Sequence, residues 1–355
     1  MWRSGRRADL YDVAVTLQAP TARQAPDHKS GGRRLLDAFH AFDRFPAFAT
    51  ARGQLLEDGV GTDTVAAIES DVALTVAVLR RANSGGPRAR IATIPDALQA
   101  IGDAGLREIA EGAPSFDFFE SCGVWGAEPQ NHRLHAVATQ RAAIRLARAL
   151  HFSRTDELIV AALLHDIGKL VLAHANPRYP TFPGPGTMDP ERRLANERRA
   201  MGVDHAVVGG VLARRWGLPH GLAHAIERHH APGDSGLAGF VRLADMIARF
   251  EAGNPVDGHA VLAAGLDVGL DQRALMEVLT AAPPAERRST TPSPLTAGEH
   301  RVVAELAGGR VYKEIAAELH LSVSTVRTHL YNTYRKLGVT DRAQAILLAK
   351  ENGWI

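Results

Sequence analysis

The stretch from Leu295 to Ile355 constrains the fold most, because it reads as four short helices with helix-turn-helix spacing. Thr296-Ala-Gly-Glu299 has the form of a capping box, in which a hydroxyl and a carboxylate satisfy orphan N–H groups at a helix start. Val302, Val303 and Leu306 follow at helical spacing, and Gly308-Gly309 ends the helix. A second helix, about Val311 to Leu319, buries Ile315, Ala316 and Leu319. A turn through Leu321 leads to Ser322, a good N-cap. The third helix, about Val323 to Leu337, carries Arg327, Arg335 and Lys336 and no acid. Gly338 stops it, and Thr340 caps a fourth helix that ends near Gly353. A short helix held by two others can lie in a major groove and reach base edges.

Specific residues give this stretch a resemblance to the LuxR-type helix-turn-helix domain. They are Leu295-Thr296, Glu299, Lys313-Glu314-Ile315-Ala316, Leu321-Ser322, Thr325-Val326-Arg327-Thr328-His329 and Lys336-Leu337-Gly338-Val339. Val311-Tyr312 departs from the family, which usually has a small polar pair there. The resemblance implies binding to double-stranded DNA. It places Arg327, Thr328 and Tyr331 at base edges, and Thr325, His329, Arg335 and Lys336 at phosphates. It also implies a homodimer, since such domains commonly act on two half-sites. The competing reading is a solvated basic helix packed against the rest of the protein.

With 355 residues, 45% of them hydrophobic, two or three domains can each bury a core. The net charge of +2 gives no whole-chain bias toward nucleic acid, so the basic character is local. The single cysteine, Cys122, leaves neither a disulfide framework nor a cysteine-based zinc site. No run approaches about 18 apolar residues, so no membrane span is expected. The basic start, Met1 to Arg7, precedes no clean apolar stretch, so no signal peptide is expected and the expected location is cytoplasmic.

Residues 1–32 lack sustained periodicity and contain Pro20, Pro26 and Gly31-Gly32, which suits a flexible arm. From 33 to 280 the pattern is helical almost throughout. Residues 281–294 hold Pro283, Pro284, Pro292 and Pro294 among small polar residues, an extended linker before the terminal domain at 295–355. A second irregular stretch, Asn176 to Asp189, holds Pro177, Pro180, Pro183 and Pro185. Inside a domain, so long a loop is a lid or disordered.

His165-Asp166 lies in the middle of the apolar run Ile159 to Leu172, expected to be one helix. An imidazole and a carboxylate there are costly to bury unless something binds them, and a metal is the simplest partner. Gly168 removes side-chain bulk near the pair, and Lys169 is spaced to meet an anion such as a phosphate. His135, His205, His229, His230 and Asp245 also sit on apolar helical patterns. Imidazoles and carboxylates suit iron, manganese or zinc, as one ion or two sharing Asp166. Each residue alone admits a plainer reading, as a core or capping histidine, a solvated helix end or a self-satisfied pair. Their combination favours ligands.

The order His135, His165-Asp166, His205, His229-His230, Asp245 resembles the HD superfamily of metal-dependent phosphohydrolases. Within it the chain looks most like an HDOD (HD-related output) domain, over roughly residues 35–250. Phe45-Pro46, Ile68 to Thr75 with Asp71, Val78 to Ser84 with Asn83, and Ile94 to Gly102 carry that likeness. HDOD domains are helical and have often lost the metal ligands, whereas this chain keeps them. His135, His165, Asp166 and Asp245 match the core motif, and His205 with His229 or His230 match the extra ligands of HD-GYP relatives. The Gly-Tyr-Pro motif of those relatives is absent after His230, where Ala231-Pro-Gly-Asp-Ser follows. The expected fold is all-α: an HDOD/HD-type helical domain plus a four-helix LuxR-type domain. The expected function is a signal-responsive transcription regulator that binds metal and a nucleotide or phosphorylated ligand. The alternative is a metal-dependent phosphohydrolase with a DNA-binding tail, in which Asp166 and Lys169 are catalytic.

Overall fold

The computed structural model of the chain describes residues 28–42, 47–58, 62–84, 90–116, 128–176, 179, 190–280, 292–308, 310–339 and 342–355. Phe45-Pro46, most of the Asn176–Asp189 loop, and the linker up to Thr291 lie outside them, as do residues 1–27. The described structure is helical apart from one short parallel pairing. The first helix, α1 (His28–Phe42), begins inside the segment expected to be an arm. Strand β1 (Ala47–Phe48) pairs with β2 (Ser115–Phe116), Ala47 opposite Ser115. Between them lie α2 (Ala49–Asp58), α3 (Thr62–Glu69), α4 (Val72–Ala82) and α5 (Ile94–Gly112).

The motif residues in this half have structural work. Asp71 caps α4 by accepting from the N–H groups of Ala73 and Leu74. Its other oxygen meets Arg133 at 3.3 Å, a buried ion pair between this half and the next. Asn83 closes the α4–α5 connection: its amide donates to Leu79 and Ile91 carbonyls and its oxygen accepts from Ile91 N–H. Gly102, at φ 63°, breaks the helical path inside α5 in a conformation that favours glycine.

The next helices hold the site: α6 (Glu128–Ala149), α7 (Thr155–Leu164), α8 (Ile167–Ala175), α9 (Pro190–Met201), α10 (His205–Arg215), α11 (His220–Arg228) and α12 (Leu237–Glu251). Helices α13 (Gly258–Asp267) and α14 (Gln272–Thr280) follow. Helix α6 packs on α7 and α12, and α10 packs on α8 and α11. The stretch from Thr155 to Ala175 is, contrary to expectation, long and apolar enough to cross a membrane by length and composition, yet most of it is buried inside the molecule. It is also two helices rather than one, since the chain leaves helical geometry at Asp166 (φ −96°, ψ 7°). The break frees His165-Asp166 to turn into the centre while Leu163, Leu164, Ile167 and Leu170 fill the core.

Helix α8 meets α10 almost backbone to backbone. A Cβ on Gly168 would sit 1.9 Å from the His205 carbonyl oxygen and 2.8 Å from the Gly209 nitrogen. The absent side chain therefore sets the distance between Asp166 and His205.

The terminal domain comprises α15 (Ala297–Ala307), α16 (Tyr312–Glu318), α17 (Val323–Leu337) and α18 (Arg342–Glu351). The Thr296–Glu299 capping box is formed in both directions. Ser322 caps α17, and Gly338 ends it in the left-handed conformation at φ 62°. Val302, Leu306, Ile315, Val326, Leu330 and Ile346 make the small core. Helix α18 also touches α6.

Candidate metal centre and nucleic-acid interface

Helices α6, α10 and α12, the α7–α8 junction and the end of α11 bring every expected ligand to one place. Asp166 is at the middle, and its two oxygens have different neighbours. Oδ1 faces His205 Nε2 at 3.2 Å and His229 Nε2 at 3.6 Å. His230 Nε2 lies 3.0 Å from His205 Nε2. Oδ2 faces His165 Nε2 at 3.4 Å and His135 Nε2 at 3.5 Å. Asp245 Oδ1 lies 2.9 Å from His135 Nε2 and 3.9 Å from His165 Nε2. The donors form two groups with metal-ligand spacing: Asp166, His205, His229 and His230, and His135, His165 and Asp245.

Hydrogen bonds behind the rings decide which nitrogens face inward. His165 donates from Nδ1 to the Ala162 carbonyl and His229 from Nδ1 to that of Ile226, both at 2.7 Å. His205 Nδ1 lies 2.7 Å from Glu197 Oε2. In each ring Nε2 is then the atom left to share its lone pair, the arrangement that metal-binding histidines need. His165 Nε2, His229 Nε2 and Asp166 Oδ1 are buried and make no hydrogen bond of ordinary geometry among the described residues. Orphaned buried polar atoms are costly; an ion in the first group would satisfy His229 and Asp166 Oδ1, and one in the second would satisfy His165. The donor set therefore fits a divalent transition metal.

The electrostatics agree for both carboxylates, His229 and His230. Burial opposes charge on His165 and His205 too, but the carboxylates of Asp166, Asp245 and Glu197 outweigh it and raise these two rings until an ion displaces the proton. Burial opposes charge on Asp166, but Lys169, His165 and His205 outweigh it and hold the carboxyl well below its usual range. Asp245 is held low in the same way, mainly by His135. Burial pulls the His229 imidazole down to about 4, and burial with His229 pushes His230 well below its ordinary value. These two rings are neutral at pH 7, as ligands must be. Lys169, expected near a substrate phosphate, bonds through Nζ to Asp166 Oδ2.

Two residues near the site were not foreseen. Glu197 on α9 is buried behind His205, and its position in a helix crowded with charges hid it. His132, one turn before His135, is buried, and its Nε2 makes no hydrogen bond among the described residues. Burial lowers it to about 3, so it is a neutral neighbour of the cluster.

On α17, Arg327, Thr328, Tyr331, Arg335 and Lys336 are exposed, whereas Val326, Leu330 and Thr333 face the core. The exposed set recurs at helical spacing and makes one stripe. Thr325 and His329 are half-buried, and Thr325 shares the Ser322 cap at 2.7 Å. His329 rests on Gly298, where a Cβ would come within 2.9 Å of its ring. Lys336 donates to Glu299 Oε2 at 2.7 Å, tying α17 to the start of α15. Glu314 accepts from Val311 N–H at 3.0 Å at the start of α16, and the Tyr312 that follows is buried.

The sequence matches the HDOD domain family over residues 53–232, half of the chain. The chain belongs to the HDOD family. Residues 293–349 match the bacterial regulatory proteins of the luxR family. The chain is 51% identical over 55 residues to the transcriptional regulatory protein YhcZ of Bacillus subtilis, covering 16% of this chain and 26% of that one. A Treponema pallidum protein is 29% identical over 205 residues, covering 53% of this chain and 38% of that one. The chain thus spans about a quarter of the length of the first of these relatives and under half of the other. The MmoQ response regulator from Methylococcus capsulatus has a similar fold, with a TM-score of 0.53 at 23% identity, over 66% of this chain and 97% of that one.

Proposed function

We propose that this HDOD-family chain is a transcription regulator whose helical domain holds one or two divalent transition-metal ions and whose terminal domain binds double-stranded DNA. The α17 stripe carries the DNA reading: its polar and cationic side chains are exposed, and its apolar residues anchor the helix on α15 and α16. Arg327, Thr328 and Tyr331 are placed to meet base edges, with Arg335 beside a phosphate. Lys336 contributes first to the fold through Glu299. The LuxR-type match supports dimer formation on paired half-sites. Selecting a preferred DNA sequence and comparing Arg327→Ala on that site and on random duplex tests this. The expected loss is about 1–3 kcal/mol on the preferred site and less on random DNA. Equal losses make Arg327 only a phosphate contact.

The metal reading rests on the orphaned, inward-facing donors around Asp166. His205, His229, His230 and Asp166 Oδ1 would hold one ion, and His135, His165 and Asp245 a second, with Asp166 Oδ2 beside them. Elemental analysis of protein purified without chelator or affinity metal should show one or two ions per chain, lost in Asp166→Ala. Absence after addition of iron, manganese or zinc sinks this reading and leaves a scaffold domain. Occupancy would bias the terminal domain through differential affinity for two arrangements, and the α6–α18 contact supports such a link.

A second reading, phosphohydrolysis of a nucleotide or other phosphorylated compound, has one observation in its favour: the same complete donor set. A bound ion would supply Lewis acidity toward a phosphate oxygen. Lys169 lies beside that position on Asp166 and would meet the substrate by exchanging one anion for another. Turnover lost in Asp166→Ala and His135→Ala, with folding intact, supports this reading.

A further inference from the structure

We infer that Glu197 and Tyr179 form a positioning pair that orients His205 for the ion, an inference resting on the metal reading above. Glu197 is a buried carboxylate on α9, outside both donor groups. Its Oε2 accepts twice from one residue: from the His205 backbone N–H at 2.8 Å and from His205 Nδ1 at 2.7 Å. Its Oε1 accepts from the Tyr179 hydroxyl at 2.7 Å. Three donors therefore fix one carboxylate, and that carboxylate fixes both the first turn of α10 and the ring of its first residue.

The consequence is geometric. His205 is the first residue of α10, where backbone N–H groups have no helical partner. Asp204 caps the helix through Val207 N–H and is itself held by Arg198 of α9 at 2.6 Å. Helix α9 thus grips the start of α10 twice, once through the cap and once through Glu197. With Nδ1 engaged, His205 has only Nε2 to turn toward Asp166 and His230. His165 and His229 achieve this with backbone carbonyls; His205 alone of the three uses an ionised side chain. A carboxylate behind an imidazole strengthens its donation to a metal more than a neutral carbonyl does. Tyr179 keeps that carboxylate from rotating away.

The test compares zinc affinity, by competition with a chromophoric chelator, in wild-type full-length protein, Glu197→Gln, Glu197→Asp and Tyr179→Phe. Thermal unfolding in excess chelator runs alongside, and 15N shifts of the His205 ring are recorded in the zinc-loaded protein. Glu197→Gln should weaken zinc by about 10–100-fold with unfolding in chelator unchanged. Glu197→Asp should recover part of the loss, Tyr179→Phe should lose less, and wild-type His205 should show a protonated Nδ1. Equal zinc affinity in wild type and Glu197→Gln overturns the inference while leaving the metal site standing. Lost affinity matched by lower stability in chelator, with no recovery in Glu197→Asp, marks Glu197 as structural only and also overturns it. Wild-type protein that takes up no zinc, iron or manganese removes the metal reading and this inference with it.

Discussion

Asp166 was legible in the sequence because it contradicts its surroundings, a carboxylate in an apolar run. The same contrast exposed His165 and Asp245. Glu197 gave no such signal: α9 reads Pro-Glu-Arg-Arg-Leu-Ala-Asn-Glu-Arg-Arg-Ala-Met, and nothing local separates the buried glutamate from its solvated neighbours. Arg342 was hidden for the same reason, although its guanidinium is buried and donates to the Leu306 carbonyl at 2.5 Å. Lys169 shows the limit of spacing arguments, because its position predicted an anion but not that the anion would be Asp166. Glu69 gives a prediction at this scale. Burial first, and Asp156 second, push its carboxyl up to about 7. The folded state therefore keeps a proton that the unfolded chain releases near 4.5, so stability falls as pH rises from there to about 7. Glu69→Gln should match wild type at pH 4 and exceed it at pH 8 by on the order of 1–2 kcal/mol, after allowance for partial exposure. A difference in thermal unfolding that is the same at both pH values excludes Glu69 as its source.

At the level of helices, the terminal domain was readable almost residue by residue, since capping box, N-cap serine and left-handed glycine are local signals. The break between α7 and α8 was not. An apolar run has one hydropathy pattern whether it is one helix or two, and only the burial of His165-Asp166 toward several other helices forces the turn. The α8–α10 crossing was partly legible: Gly168 suggested missing bulk, but its partner, the first turn of α10, is distant in sequence. Gly168→Ala tests this crossing. With a Cβ 1.9 Å from a backbone oxygen, the helices must separate, at a cost of about 1–3 kcal/mol. Denaturant unfolding reads the cost, and metal affinity should fall with it because Asp166 and His205 move apart. Wild-type stability in this variant means that the crossing is looser than its geometry.

For the whole molecule, the sequence separated two helical units but gave no sign that α18 touches α6, the helix carrying His135. That contact makes the DNA affinity of the full chain the decisive quantity. It should differ between metal-loaded and chelated protein, and both should differ from the segment 292–355; three equal values show two units that ignore each other. The way the donors are held shapes what such a signal can be. The rings of His165, His229 and His205 are locked from behind by Ala162, Ile226 and Glu197 before any ion arrives. A receptacle assembled by folding itself has little left to rearrange when it fills. The message passed along α6 would then be chiefly the added positive charge and the stiffness it confers, so the chain would distinguish full from empty more readily than one ion from another of equal charge.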